Sequence, residues 1–170
     1  MNKKDTAVGT LLKESDVVVL VAADIDRSRT TLPSAYQLAK YRLERRQWGL
    51  KHRTRYRATM KKGHRVLVYI SGHREFAQHF VAEAVLASEP KPASGDRALD
   101  APDFAVSLGS EYKVELKSVR WFKQPVCARD LISRFSFIAP SRTNMWRIYF
   151  QGGALRIPNK DANLIVRSGQ

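Results

Sequence analysis

The chain has 170 residues, 44% hydrophobic and 27% charged, with one cysteine and 30 basic against 16 acidic side chains for a formal charge of +14. That length supports one folded domain with its own core and excludes a disulfide-stapled miniprotein, while the charge attracts polyanions, nucleic acid first among them. The apolar run "VVVLVAA" at 17–23 lies between Asp16 and Asp24; it is too short for a membrane span, so neither secretion nor membrane insertion is expected, and the lone Cys127 fits a reducing, cytoplasmic setting.

In chain order, Val17 to Ala23 is β-branched and apolar without alternation, which predicts a strand buried on both faces. A polar stretch ends it. Pro33 and Ser34 lead into a predicted helix over about Ala35 to Arg46, with Ser34 as N-cap; Leu38, Tyr41 and Arg45 are read on one face, with Lys40, Arg42 and Arg46 elsewhere. Residues 48 to 58 have no clean period and read as loop or short helix around Trp48. Lys61, Lys62 and Gly63 make a turn into the strand "RVLVYI", which Ser71 and Gly72 close.

Phe76 to Ala87 carries both strand and helix spacing. Glu89 to Phe104 is proline-rich, locally acidic and a surface loop. Tyr112, Val114 and Leu116 alternate with Lys113, Glu115 and Lys117, a strand with one wet face that Pro125 is expected to stop. A short helix at about Ala128 to Phe135, a buried "MWRIYF", a Gly152–Gly153 turn and a terminal helix or turn after Pro158 complete the reading. Short strands with small helices fit an α+β barrel better than a doubly wound sheet or a helix bundle. The expected division is an N-terminal extension at 1–16, one domain at 17–166 and a tail at 167–170.

The chemistry of catalysis is not spelled out. His52, His64, His73, His79 and Cys127 lack zinc-site spacing, no phosphate loop or dinucleotide fingerprint occurs, and Asp24 and Asp26 lack a nuclease motif around them. No metal, no cofactor and no catalytic residue is assigned, and the chain reads as a binder. From Lys40 to Arg65 the only acid is Glu44; within this run Arg45, Arg46, Lys51, Arg53, Arg55, Arg57, Lys61 and Lys62 are the candidate phosphate contacts. Trp48 can anchor the core, hold a cation or stack on a base, and Gly49 lets a ligand approach the backbone. Trp121 can take either role, whereas Trp146 reads as core.

The order of "VVVLVAA", Trp48-Gly49, "MKKGHRVLVYISG", "FVAEAVLASEP", "YKVELKSVRWFKQPV", "ARDLISRFSFI" and "MWRIYFQGGALRIPNKD" resembles the EVE domain family of the PUA-like superfamily, related to ASCH and YTH domains, over about Val17 to Val166. The resemblance implies a PUA-like mixed β-barrel with peripheral short helices and a pocket for a modified base. It places Trp48 beside that pocket, Ser71 and Gly72 in the loop after the strand with Gly63-His64 at its start, and the Val21 or Ala22 amide and the Ala23 to Asp26 loop at the ligand edge. Where the family has a tyrosine-tryptophan pair this chain has Val18 and Val19.

The base-pocket set is therefore Trp48, Gly49, Ala22, Ala23, Asp24, Asp26, Ser71, Gly72 and Trp121. The implied partner is double-stranded DNA bearing a methylated or otherwise modified cytosine or adenine, flipped from the stack. RNA is the alternative ligand, and a protein-interaction domain the alternative class. A nuclease or other effector, as a further domain or a subunit of a modification-dependent restriction system, is the expected protein partner. On this reading removal of Trp48 costs modified-base preference selectively.

Overall fold

The computed structural model describes residues 16–25, 28–29, 31–93 and 110–170. Strands β1 (Asp16–Ala22), β2 (Gln47–Leu50), β3 (Arg65–Ile70), β4 (His79–Leu86), β5 (Lys91–Pro92), β6 (Tyr112–Cys127) and β7 (Ala154–Pro158) join helices α1 (Ala35–Glu44) and α2 (Asn159–Gly169). The strands form one mixed sheet in the order β2-β6-β4-β3-β1-β7, with β5 also on β6. Among the described strands only β1 and β3 run parallel, pairing Val18 with Val66 through Ala22 with Ile70. The sheet curls into an open half-barrel with helices at its periphery.

β1 shows why its sequence lacks alternation. Val17, Val19 and Val21 face a core that also takes Tyr69, Phe80, Trp146, Phe150 and Ile165, so α2 and the 3-10 segments Ala128–Arg134 and Pro140–Phe150 cover that side. Val18, Leu20 and Ala22 face a second core with Ala39, Leu43, Trp48, Val68 and Leu116, under α1. A strand covered on both faces has no wet side to encode, and each fully buried Val or Leu contributes about 1.5–3 kcal/mol.

α1 forms where its caps predict. Ser34 Oγ accepts the Gln37 N–H (3.1 Å) while Gln37 Oε1 accepts the Ser34 N–H (2.9 Å), satisfying two donors that the first turn leaves open. The helix ends at Glu44 with Arg45 as C-cap, slightly short of the predicted end. Its buried face includes Leu38, Arg42 and Leu43, whereas Arg45 is exposed. The sequence reading set Arg42 apart from Leu38, but residues four apart share a helix face.

The curl comes from β6. Its first residues pair with β2, Trp48 opposite Val114, and the remainder pairs with β4 as far as His79 opposite Cys127. Register shifts interrupt the second ladder; Ser118 has a left-handed φ of 52° at one, and Pro125 falls in the other, between the Trp121 and Val126 pairings. Bulges bend a strand and leave residues outside the ladder, so Pro125 forfeits no hydrogen bond and does not stop β6 as expected.

Residues 47–50 also differ from the loop-or-helix expectation, because pairing with β6 makes them a strand. The ambiguous 76–87 segment resolves as β4, and the helix after Cys127 is 3-10, Ala128–Arg134. The 51–60 segment crosses from the β2 edge towards β7. There the Arg55 N–H donates to Gly152 O (3.0 Å), and Arg156 Nη1 donates to Thr59 Oγ1 (3.4 Å).

Candidate nucleic-acid interface

A cavity of about 440 Å³ opens at the C-terminal end of β1, within the roughly 300–1,000 Å³ range of ligand sites. Val21, Ala23, Asp24 and Ile25 form one side, Leu38 and Arg42 of α1 another, and Trp48, Gly49 and Leu50 of β2 a third. Lys51, Arg53, Thr54, Ser110, Gly152 and Gly153 complete the lining. Five separate stretches of chain therefore meet at one opening.

The walls are held by short bonds. Asp24 Oδ1 accepts the Ala35 N–H at the start of α1 (2.8 Å), and Oδ2 accepts the His73 N–H (3.1 Å), so one carboxylate ties the β1 exit to α1 and to the loop after β3. Gly72 is in that loop at φ 138°, and a Cβ there would lie 2.5 Å from Asp24 Oδ2. Thr54 closes a turn on Lys51, its Oγ1 accepting the Lys51 N–H (2.9 Å) and its own N–H donating to Lys51 O (3.0 Å). Gly49 is needed for space: a Cβ would collide with the Ser110 hydroxyl and come within 3.4 Å of Arg42 Nη2.

Arg42 is the unusual member of the wall. It is 8% exposed, its guanidinium carbon lies 5.0 Å from the centre of the Trp48 ring, and its buried Nε has no hydrogen-bond partner among the described residues. Burial brings its pKa down to about 10, which leaves it charged at neutral pH. Trp48 is both core and wall. It is 1% exposed and packs with Val18, Leu43 and Val68, so it offers the cavity almost none of its surface.

Of the residues expected in the pocket, Trp48, Gly49, Ala23 and Asp24 line the cavity together. Ala22 is buried behind it, its carbonyl accepting the Ser71 N–H (2.7 Å). Ser71 and Gly72 reach the cavity only through Ala22 and Asp24. Asp26 lies outside the described residues. The Val21 amide, expected at the ligand edge, donates to Gly153 O (3.0 Å) and is consumed by the sheet.

Trp121 stands elsewhere, 38% exposed on β6, with Tyr36 6.1 Å away and Phe76 4.7 Å beyond Tyr36. Tyr69 is core and stacks on Phe150 at 4.1 Å; desolvation raises its pKa. Trp146 is buried as expected.

The candidate phosphate contacts divide. Lys51 and Arg53 line the cavity, and Arg55 sits beside Gly152, with Nε 2.9 Å from where a Cβ would stand. Arg57 lies over the Tyr112 ring at 3.8 Å, and Arg45 over Tyr41 at 3.6 Å. Lys61 and Lys62 precede β3, whose parallel pairing with β1 puts them at the end of the sheet away from the cavity. Arg45 and Arg46 likewise follow the far end of α1. Sequence reasoning missed Leu38, Arg42, Leu50, Thr54, Ser110 and the Gly152–Gly153 turn as lining; only Arg42 left a signal, its four-residue spacing from Leu38.

Among the described residues no group of three or more His, Cys, Asp or Glu side chains is arranged to hold a metal ion. Among them, too, no helix is long and apolar enough to cross a membrane.

Comparison with curated proteins returns no match. Solved structures share the fold. Human THYN1 protein in complex with 5-methylcytosine containing DNA is 11% identical at a TM-score of 0.58, covering 92% of this chain and 98% of that one. The YTH domain of Zygosaccharomyces rouxii MRB1 protein in complex with N6-methyladenosine RNA is 14% identical at 0.52, covering 94% and 89%. The N-terminal domain of Staphylothermus marinus McrB is 13% identical at 0.52, covering 90% and 94%. At these identities the likeness is one of architecture. The family profile of the EVE domain matches residues 30–168, most of the chain and every stretch around the cavity except the end of β1 and the residues after it, and the protein belongs to the EVE domain family.

Proposed function

We propose that the protein is a non-catalytic reader of modified bases in DNA, taking a flipped methylated or otherwise modified cytosine or adenine into the cavity. The 51–60 segment, laid between β2 and β7, completes the half-barrel as an EVE-type barrel in this reading. The observation that carries it is the cavity itself. About 440 Å³ of space is walled by apolar Val21, Ile25 and Leu38 and by the Trp48–Arg42 pair, with Lys51 and Arg53 beside it. Extracting a base costs a few kcal/mol, which apolar enclosure and polar contacts to the base edge must offset. Discriminating one methyl group is worth only about 1–3 kcal/mol, so the enclosure has to be close.

Two solved neighbours of the same fold hold nucleic acid with a methylated base, one DNA and one RNA. The excess of 30 basic over 16 acidic side chains supports either polyanion, and methylated RNA is the second reading. The McrB neighbour is the N-terminal domain of its protein, which supports a recognition module working with an effector, such as a nuclease, as a further domain or subunit.

The test is a panel of matched DNA and RNA oligonucleotides, unmodified or carrying methylated cytosine, hydroxymethylated cytosine or methylated adenine, titrated at two salt concentrations. Tighter binding of a modified DNA is expected. Equal affinity for modified and unmodified forms overturns the proposal, and a preference confined to RNA replaces it with the second reading.

A further inference from the structure

The cavity wall holds a buried guanidinium that makes no ion pair with any described residue. Arg42 is buried, its Nε has no partner among those residues, and the Trp48 ring is its close neighbour. A guanidinium is all donor, five N–H groups in a planar fork. Burying it uncompensated is costly, so a ligand that presents two adjacent acceptors to the fork gains more than its own hydrogen bonds. Asp24 brings the opposite chemistry to the same cavity. Its carboxylate only accepts, and each oxygen already takes one backbone N–H, from Ala35 and from His73, with a further lone pair remaining.

The Watson–Crick edges of the two candidate bases differ in this respect. Cytosine offers two neighbouring acceptors, O2 and N3, next to its N4 amino donor; adenine offers one acceptor, N1, next to its N6 amino donor. Resting on the reading of the cavity as a modified-base pocket, we propose that Arg42 and Asp24 make it selective for modified cytosine over modified adenine. The two Nη groups of the Arg42 fork, not the sealed Nε, meet O2 and N3, and the Asp24 carboxylate accepts from the N4 amino group. Adenine would leave one arm of the fork facing no acceptor inside an enclosed site.

DNA duplexes of one sequence carrying 5-methylcytosine, N6-methyladenine or no modification are titrated by fluorescence anisotropy against the wild type, Arg42→Met and Arg42→Lys. The wild type is expected to prefer the methylcytosine duplex over the methyladenine duplex by about ten-fold or more. Arg42→Met should bring the two within about two-fold, and Arg42→Lys, which keeps the charge and loses the fork, should fall between. Thermal melting identifies folded variants, and if Arg42→Met does not fold, Arg42→Lys alone decides the matter. A wild-type preference for methyladenine, or a methylcytosine preference unchanged in the folded variants, overturns the role of Arg42 and leaves the pocket reading standing. No preference for either modified duplex over the unmodified one overturns both.

Discussion

The guanidinium of Arg42 lies 5.0 Å from the centre of the Trp48 ring, in the wall of the cavity and largely out of reach of water. The contact recovers part of what the charge loses on burial, yet Nε has no partner among the described residues. An unsatisfied buried donor costs about 1–3 kcal/mol. Arg42→Met keeps much of the volume without the charge, so the thermal midpoint of the unliganded protein should stay level or rise. A clear fall would show that the guanidinium stabilises the fold.

Trp48 should behave as a core residue when it is removed. At 1% exposure and packed among Val18, Leu43 and Val68, Trp48→Ala should cost about 3–5 kcal/mol, measured by urea unfolding. Trp48→Phe should cost less. Losing Trp48 should therefore weaken fold and pocket together, not base preference alone. Trp48→Ala unfolding at the wild-type midpoint would contradict the core role.

The basic residues should separate by position. Lys51 and Arg53 line the cavity, whereas Lys61 and Lys62 stand at the opposite end of β3. Neutralising Lys51 and Arg53 with glutamine should weaken binding to modified and unmodified DNA alike, and lower the slope of log affinity against log salt by about one per charge removed. The Lys61→Gln and Lys62→Gln pair should change it less. Equal slopes for the two pairs would mean that the DNA runs the length of the 51–62 segment.

Trp121 packs on Tyr36, which in turn packs on Phe76, away from the cavity lining. Trp121→Ala should therefore leave the ratio of affinities for modified and unmodified duplexes within about two-fold of wild type. Loss of that ratio in a folded Trp121→Ala variant would bring the β6 aromatic surface into base recognition.

His64 gives a pH dependence of known sign. Its Nδ1 accepts the Lys61 N–H (3.2 Å), which requires the unprotonated nitrogen, and burial, then Arg156 and Lys61, lower its pKa below the usual 6.5. The unfolded chain takes up this proton first as pH falls, so the stability linked to His64 is present above about pH 6.5 and is lost as pH drops through the lower folded value. The urea midpoint of wild type should fall more between pH 7.5 and 5.5 than that of His64→Gln. Parallel falls would remove His64 from the pH response.

What was legible in the sequence follows from how local its cause is. β1 and β3 are apolar runs whose composition suffices, and α1 announces itself through Ser34 and Gln37. β2 does not, because Gln47–Leu50 has no period of its own and becomes a strand only by pairing with residues of β6 far along the chain. Pro125 misled because a proline inside a bulge meets no ladder. The cavity was legible only in pieces. Trp48 and Gly49 were read from the basic run itself, and Ala23 and Asp24 came from the family resemblance, while Ser110 and the Gly152–Gly153 turn join them through tertiary packing alone. Arg42 was hidden among other arginines but for its four-residue spacing from Leu38, since a charge run by itself does not reveal which member a helix turns inward.

The most direct measurement is the affinity ratio for one duplex with and without 5-methylcytosine, taken at low and at near-physiological salt. A reader that holds phosphates with surface charge and a modified base in an enclosed cavity should lose affinity for both duplexes as salt rises while keeping a ratio of about five-fold or more. A ratio near one at both salt concentrations, with N6-methyladenine and hydroxymethylcytosine duplexes behaving the same way, would contradict modified-base recognition by this cavity.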